Sequence, residues 1–185
     1  MKKKVLNISF VDYANLTDRS EYDFILRYAK LEPVDHLKIG AFDENTFGFV
    51  KDIQDLMNTT GLNWETFFDE MNKRTGIDLQ TLAKKPLFDL QSQRLFIKQQ
   101  VDMINTLEST QLGHTPSPEE EQAGLDVFKK YRAFCQLDKL MTLWPQYKLD
   151  EVRALPYSLC FTKLMYESDK MEFEKALHKL RSMRQ

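Results

Sequence analysis

A chain of 185 residues is long enough to bury a sizeable core, so neither disulfides nor a structural metal is needed to hold it. Hydrophobic residues at 42% and charged residues at 29% are ordinary globular usage, and six Gly with six Pro leave little material for the tight turns of a β-sandwich. Twenty-six basic against 28 acidic residues give a net charge of −2, which excludes both a global basic field for nucleic acid and a strongly acidic, disordered composition.

The basic start, Lys2-Lys3-Lys4, is followed by too short an apolar run for a signal peptide, and no window approaches the ~20 apolar residues of a membrane span. The chain is therefore expected to be soluble and intracellular. Residues 5–11 alternate, with Leu6, Ile8 and Phe10 on one side and Asn7 and Ser9 on the other, which predicts a short N-terminal strand or extended arm. A weaker strand signal covers residues 36–40. The arm has two readings: pairing with that second strand within the chain, or strand addition to another protein.

The rest reads as helix. Thr17 is placed to cap a helix through Glu21–Tyr28, closed by Pro33. Residues 46–58 carry Phe47, Val50, Ile53 and Met57 on one face, and Gly61 stops them. Asn63 caps the next helix, where Trp64, Phe67, Phe68 and Met71 fall at the i, i+3, i+4, i+7 spacing of an apolar stripe. That stripe is either core or an interaction surface. Gly76 ends it, and Asp78 caps a short helix before Pro86. The spacing predicts a long helix over 87–110, with Leu90, Ile97, Val101, Ile104 and Leu107 or Glu108 inward. Ser117-Pro118-Glu119-Glu120 reads as a capping box opening a helix that continues through Ala123, Val127, Tyr131 and Phe134. A break follows at Trp144-Pro145, then a short turn capped by Asp150, then a terminal helix from Pro156 to about Met183. The fold class expected is mainly α: a compact bundle of about six to seven helices (17–185) behind an N-terminal arm (1–16), with 113–117 as a candidate seam. No internal repeat stands out.

Residues that carry chemistry are sparse in pattern. His36, His114 and His178 lie far from one another and from Cys135 and Cys160, so no zinc-type spacing arises. Both cysteines sit in apolar helical contexts and are expected in the core as reduced thiols. No Gly-rich phosphate loop and no Gly-x-Ser-x-Gly elbow occurs. Glu119-Glu120-Glu121 suits a helix N-terminus, and residues 161–185 carry six Lys/Arg against four Asp/Glu, a mildly basic solvated face. Catalytic, cofactor-binding and metal residues are accordingly expected to be none.

The run from Thr115 to Gly124, the Leu155-Pro156-Tyr157 step and the terminal Phe173-Glu174-Lys175-Ala176-Leu177 resemble, in that order along the chain, small helical structural and assembly proteins of tailed bacteriophages, particularly those of Bacteroides-type hosts, and the earlier stretch Thr46–Gln54 is similar to them as well. The resemblance covers roughly residues 46–180 and rests on no catalytic motif. It implies a non-enzymatic virion-assembly or structural role through protein–protein contact at the head–tail connector, portal vertex or tail. The implied partners are other phage proteins or further copies of the chain, and the implied place is the host cytoplasm during assembly, or the virion. The alternatives are a tail-assembly chaperone that leaves the particle, and a helical regulator using the basic terminal helix on nucleic acid. Candidate contact residues are Leu6, Ile8, Phe10, Trp64, Phe67, Phe68 and Met71.

Overall fold

A computed structural model describes residues 8–29, 41–113, 118–124 and 131–183, and these are mainly helical. In chain order the helices are α1 (Phe10–Ala14), α2 (Ser20–Leu26), a 3-10 turn (Phe42–Glu44), α3 (Phe47–Thr59), α4 (Trp64–Thr75), α5 (Leu79–Ala83), α6 (Leu87–Gln111), α7 (Pro118–Gln122), α8 (Arg132–Leu143), α9 (Leu149–Ala154) and α10 (Tyr157–Ser182).

The expected N-terminal strand does not form among the described residues. Ser9 makes a single antiparallel bridge to Pro86, and the chain turns helical at Phe10. The reason is local: the Ser9 hydroxyl accepts from the Asp12 N–H at 3.1 Å, and the Asp12 carboxylate accepts from that hydroxyl at 2.7 Å. A Ser-x-x-Asp cap outweighs three alternating apolar residues. Leu6 and the second strand signal at 36–40 lie outside the described residues. The helix expected to run unbroken from Pro118 past Phe134 is also interrupted. Gly124 takes φ +84, a left-handed value that ends α7, and α8 is a separate helix beginning at Arg132.

The caps that hold α4 and α5 follow from side-chain chemistry. Asn63 accepts from the Thr66 N–H at 2.9 Å, and Gly76 at φ +70 closes α4 with its N–H on the Asn72 carbonyl. Asp78 caps α5 through the Thr81 N–H at 2.9 Å.

The chain forms two compact units that interleave in sequence: Met1–Ala41 with Leu56–Met103, and Phe42–Asp55 with Ile104–Gln185. In the first unit Tyr13, Leu26 and Leu87 form a buried cluster with Ile8, Phe10, Leu16, Tyr22 and Trp64 packed against it. Phe67, Met71, Leu82 and Leu90 are also buried there, each worth about 1.5–3 kcal/mol. In the second, Phe42, Phe47, Val50, Ile53, Leu140, Val152, Cys160 and Leu164 are buried.

Although no repeat is evident in the sequence, both units use one device. A Ser/Thr–Phe step opens a helix and bridges to an x-Pro step that opens a long one: Ser9 with Pro86, Thr46 with Pro156. The residue after each proline donates across the bridge, Leu87 N–H to the Ile8 carbonyl at 2.7 Å and Tyr157 N–H to the Asn45 carbonyl at 2.9 Å. Proline cannot donate to such a bridge, so the next residue does. Each proline also follows a short helix, α5 or α9, whose inward residue, Leu82 or Val152, is fully buried. The identities differ too much between copies for the recurrence to show as a sequence repeat.

Candidate interaction surface

Two features of the second unit depart from ordinary apolar packing, and the first anchors the second. The anchor is a buried polar cluster around Glu108. Its carboxylate receives the Lys51 ammonium, the Tyr157 hydroxyl at 2.7 Å, Gln54 Nε2 at 3.2 Å and Gln136 Nε2 at 3.3 Å. The Lys51 and Glu108 side chains are about 5% and 4% exposed, so this is an ion pair taken out of water. Lys51 also donates to Gln54 Oε1 at 2.9 Å and sits over the Phe47 ring, 5.4 Å from its centroid. Asn105 Oδ1 takes the other Gln54 contact at 2.7 Å.

Burial pushes the Glu108 carboxyl up, but the Lys51 charge and the hydrogen bonds from Lys51, Tyr157 and Gln54 outweigh it and hold the group below the usual carboxylate range. Burial, then the charge of Glu108 and its hydrogen bond, push the Tyr157 phenol far above its ordinary value. The cluster is thus a closed set of matched donors and acceptors, apart from Gln136 Oε1, which has no partner. What it does is fix Tyr157, the first residue of α10. The stacked rings Phe47, Tyr157 and Phe161 and the Arg153–Asp52 pair at 2.8 Å hold the same corner.

The second feature is α10 itself. Its first turns face inward, with Tyr157, Cys160 and Leu164 buried. From Asp169 to Met183 every residue except the half-buried Leu177 is exposed. At 1.5 Å per residue that is about 22 Å of helix bathed in solvent. Apolar residues persist along it at a strict spacing of seven: Leu159, Tyr166, Phe173 and Leu180 are 48%, 59%, 66% and 58% exposed, and Met183 is 68% exposed. Leu159 and Tyr166 lie about two positions off the buried 157–160–164 face, on the far side of the helix. Water is a poor environment for four large side chains in register, which makes this face the candidate contact surface.

The sequence-derived candidates fall elsewhere. Ile8 and Phe10 are half-buried in the first unit, Phe10 lying 5.1 Å from the Trp64 ring and 4.5 Å from Phe68 between centroids. Phe67, Phe68 and Met71 are buried, and Trp64 is half-buried under the Arg94 guanidinium at 5.0 Å. The structure brings these residues together as core of one unit, and Leu6 lies outside the described residues. The cysteines divide. Cys160 is buried, whereas Cys135 is exposed, because the inward face of α8 runs through Leu137 and Leu140.

The α10 stripe was visible as four apolar residues seven apart, hidden by the equally apolar inward face of the same helix. Lys51 and Gln54 could have been suspected from their place beside Phe47, Val50 and Ile53 on the apolar face of α3. Among the described residues no group of three His, Cys, Asp or Glu could hold a metal ion, and no helix is long and apolar enough to cross a membrane. Comparison with family models, with curated proteins and with solved structures found no match.

Proposed function

We propose that the chain is a non-enzymatic assembly or structural protein of a tailed bacteriophage, acting through protein–protein contact, with the exposed face of α10 as its contact surface. The observation that carries the contact reading is the row Leu159, Tyr166, Phe173 and Leu180, all exposed on a helix whose root is held rigidly by the Glu108 cluster. The phage assignment rests on the resemblance of residues 46–180, and the head–tail region or tail is where such proteins act. The outer part of α10, from Asp169 on, takes no part in the unit's core and is free to be selected for what it binds, and Tyr, Phe and Met are residues that interfaces favour.

The test is complementation of infected cells with a Phe173→Glu, Leu180→Glu variant. Both side chains are exposed, so the variant keeps its fold and melting temperature while infectious particle yield falls by at least tenfold. Normal yield refutes the reading. Analysis of purified particles then separates the two forms of it: a virion component is found in them, and a tail-assembly chaperone is not.

A further inference from the structure

We propose that α10 pairs with α10 of a second copy of this chain, as a short antiparallel coiled coil. The inference rests on the reading of α10 as the contact surface and names its occupant. With Leu159, Tyr166, Phe173 and Leu180 as one seam position, the next seam position falls three residues on, at Thr162, Asp169, Ala176 and Met183. All of these residues are exposed. A strict seven-residue repeat drifts by about 20° per turn pair on a straight helix, and two helices remove the drift by supercoiling around each other.

Charge beside the seam selects both orientation and register. Set antiparallel with Phe173 against Ala176 of the other copy, the pairing is two-fold symmetric, and Tyr166 meets Met183 at each end. In that register Glu172 lies beside Lys179 of the other copy, and symmetry makes the contact twice. Leu177 lies beside Lys170 of the other copy, whose methylene stem covers it. Sliding by seven residues one way sets Glu172 against Glu172, and sliding the other way sets Lys179 against Lys179. A parallel pair sets Glu172 against Leu177 and forms no opposite-charge contact there. One arrangement of these four is therefore favoured by its charges. Its cost is Asp169, which faces Leu180 of the other copy. The overlap from Tyr166 to Met183 is about 27 Å of helix, a small interface that suits reversible pairing.

The experiment is light scattering after gel filtration, over a concentration series reaching about 0.1 mM. The intact chain is expected to rise toward twice its 21.9 kDa mass. Glu172→Lys alone and Lys179→Glu alone each bring like charges together twice and should stay at one chain mass. Mixed in equal amounts, the two variants restore both opposite-charge contacts and should pair again. Circular dichroism of each variant, with unchanged helix content, shows that loss of pairing is not loss of α10. A single-chain mass for the intact protein at the top of the series, or single variants that still pair, overturns the proposal. If the intact protein stays single while the Phe173→Glu, Leu180→Glu variant still blocks particle formation, the self-pairing fails and the contact surface stands. If that variant also assembles normally, both fail.

Discussion

Lys51→Met keeps most of the side-chain length and removes the ammonium, leaving the Glu108 carboxylate about 4% exposed with no cation. Removing one partner of a buried ion pair costs about 3–5 kcal/mol, because the remaining charge stays out of water. For a chain of this size each kcal/mol moves the melting temperature by about 2–4 °C, so a fall of roughly 6–20 °C is expected. The loss should depend on pH, and its sign follows from Glu108. In the intact protein the carboxyl is held low when folded, so its contribution is present above the unfolded value of about 4.3 and fades as pH falls through the lower folded one. In the variant burial acts without the cation and raises the folded value. The variant is then best placed with Glu108 neutral and loses stability as pH rises through that raised value. The gap between the two proteins should be widest at about pH 8 and narrow near pH 4. Thermal melts of both proteins across that range read it directly. A gap below about 1 kcal/mol, or one that ignores pH, would show that the pair is not the buried, matched contact described here.

Two further outcomes test the fold around the site. Thiol reagents at neutral pH should label Cys135 rapidly and leave Cys160 untouched until the protein unfolds, since burial raises the Cys160 thiol to about 11; mass spectrometry of the native protein checks it, and early labelling of Cys160 would contradict its burial. Gly76→Ala should cost about 1–2 kcal/mol in denaturant unfolding, because φ +70 at the end of α4 strains any residue with a Cβ. A variant as stable as the parent would mean that α4 ends in some other way.

How much of this could be read from residues alone depends on the range over which each feature is determined. The caps of α4 and α5 were readable because Asn63, Gly76 and Asp78 act on backbone groups within a few residues. At the first helix two local signals conflict: the alternation of Leu6, Ile8 and Phe10 points to a strand, while Ser9-x-x-Asp12, a cap of the same kind, decides for helix. At Gly124 the acidic start at Pro118 favours a longer helix than a left-handed glycine permits. The Glu108 cluster was out of reach for a different reason. Lys51, Glu108 and Tyr157 are brought together by tertiary packing, and nothing in a one-dimensional pattern separates a buried Lys–Glu pair from two solvated residues. The inward list for α6 left Leu107 and Glu108 as alternatives; the helix buries the acid and leaves the leucine 42% exposed, because Lys51 is there to receive it.

The bridges Ser9–Pro86 and Thr46–Pro156 have a consequence for a chain emerging from the ribosome. Each joins a helix start made early to one made much later, and the two spans overlap because the units interleave. When Thr46 and Phe47 leave the tunnel, their partner at Pro156 has not yet been synthesised. Closing so long a loop is slow, and Phe47, Val50 and Ile53 must wait in solvent until then. The first unit can close once Pro86 and α6 are out, but the second cannot close before α9 and the root of α10. Assembly of the second unit, and with it the anchoring of α10, thus waits beyond the point at which the first unit can close.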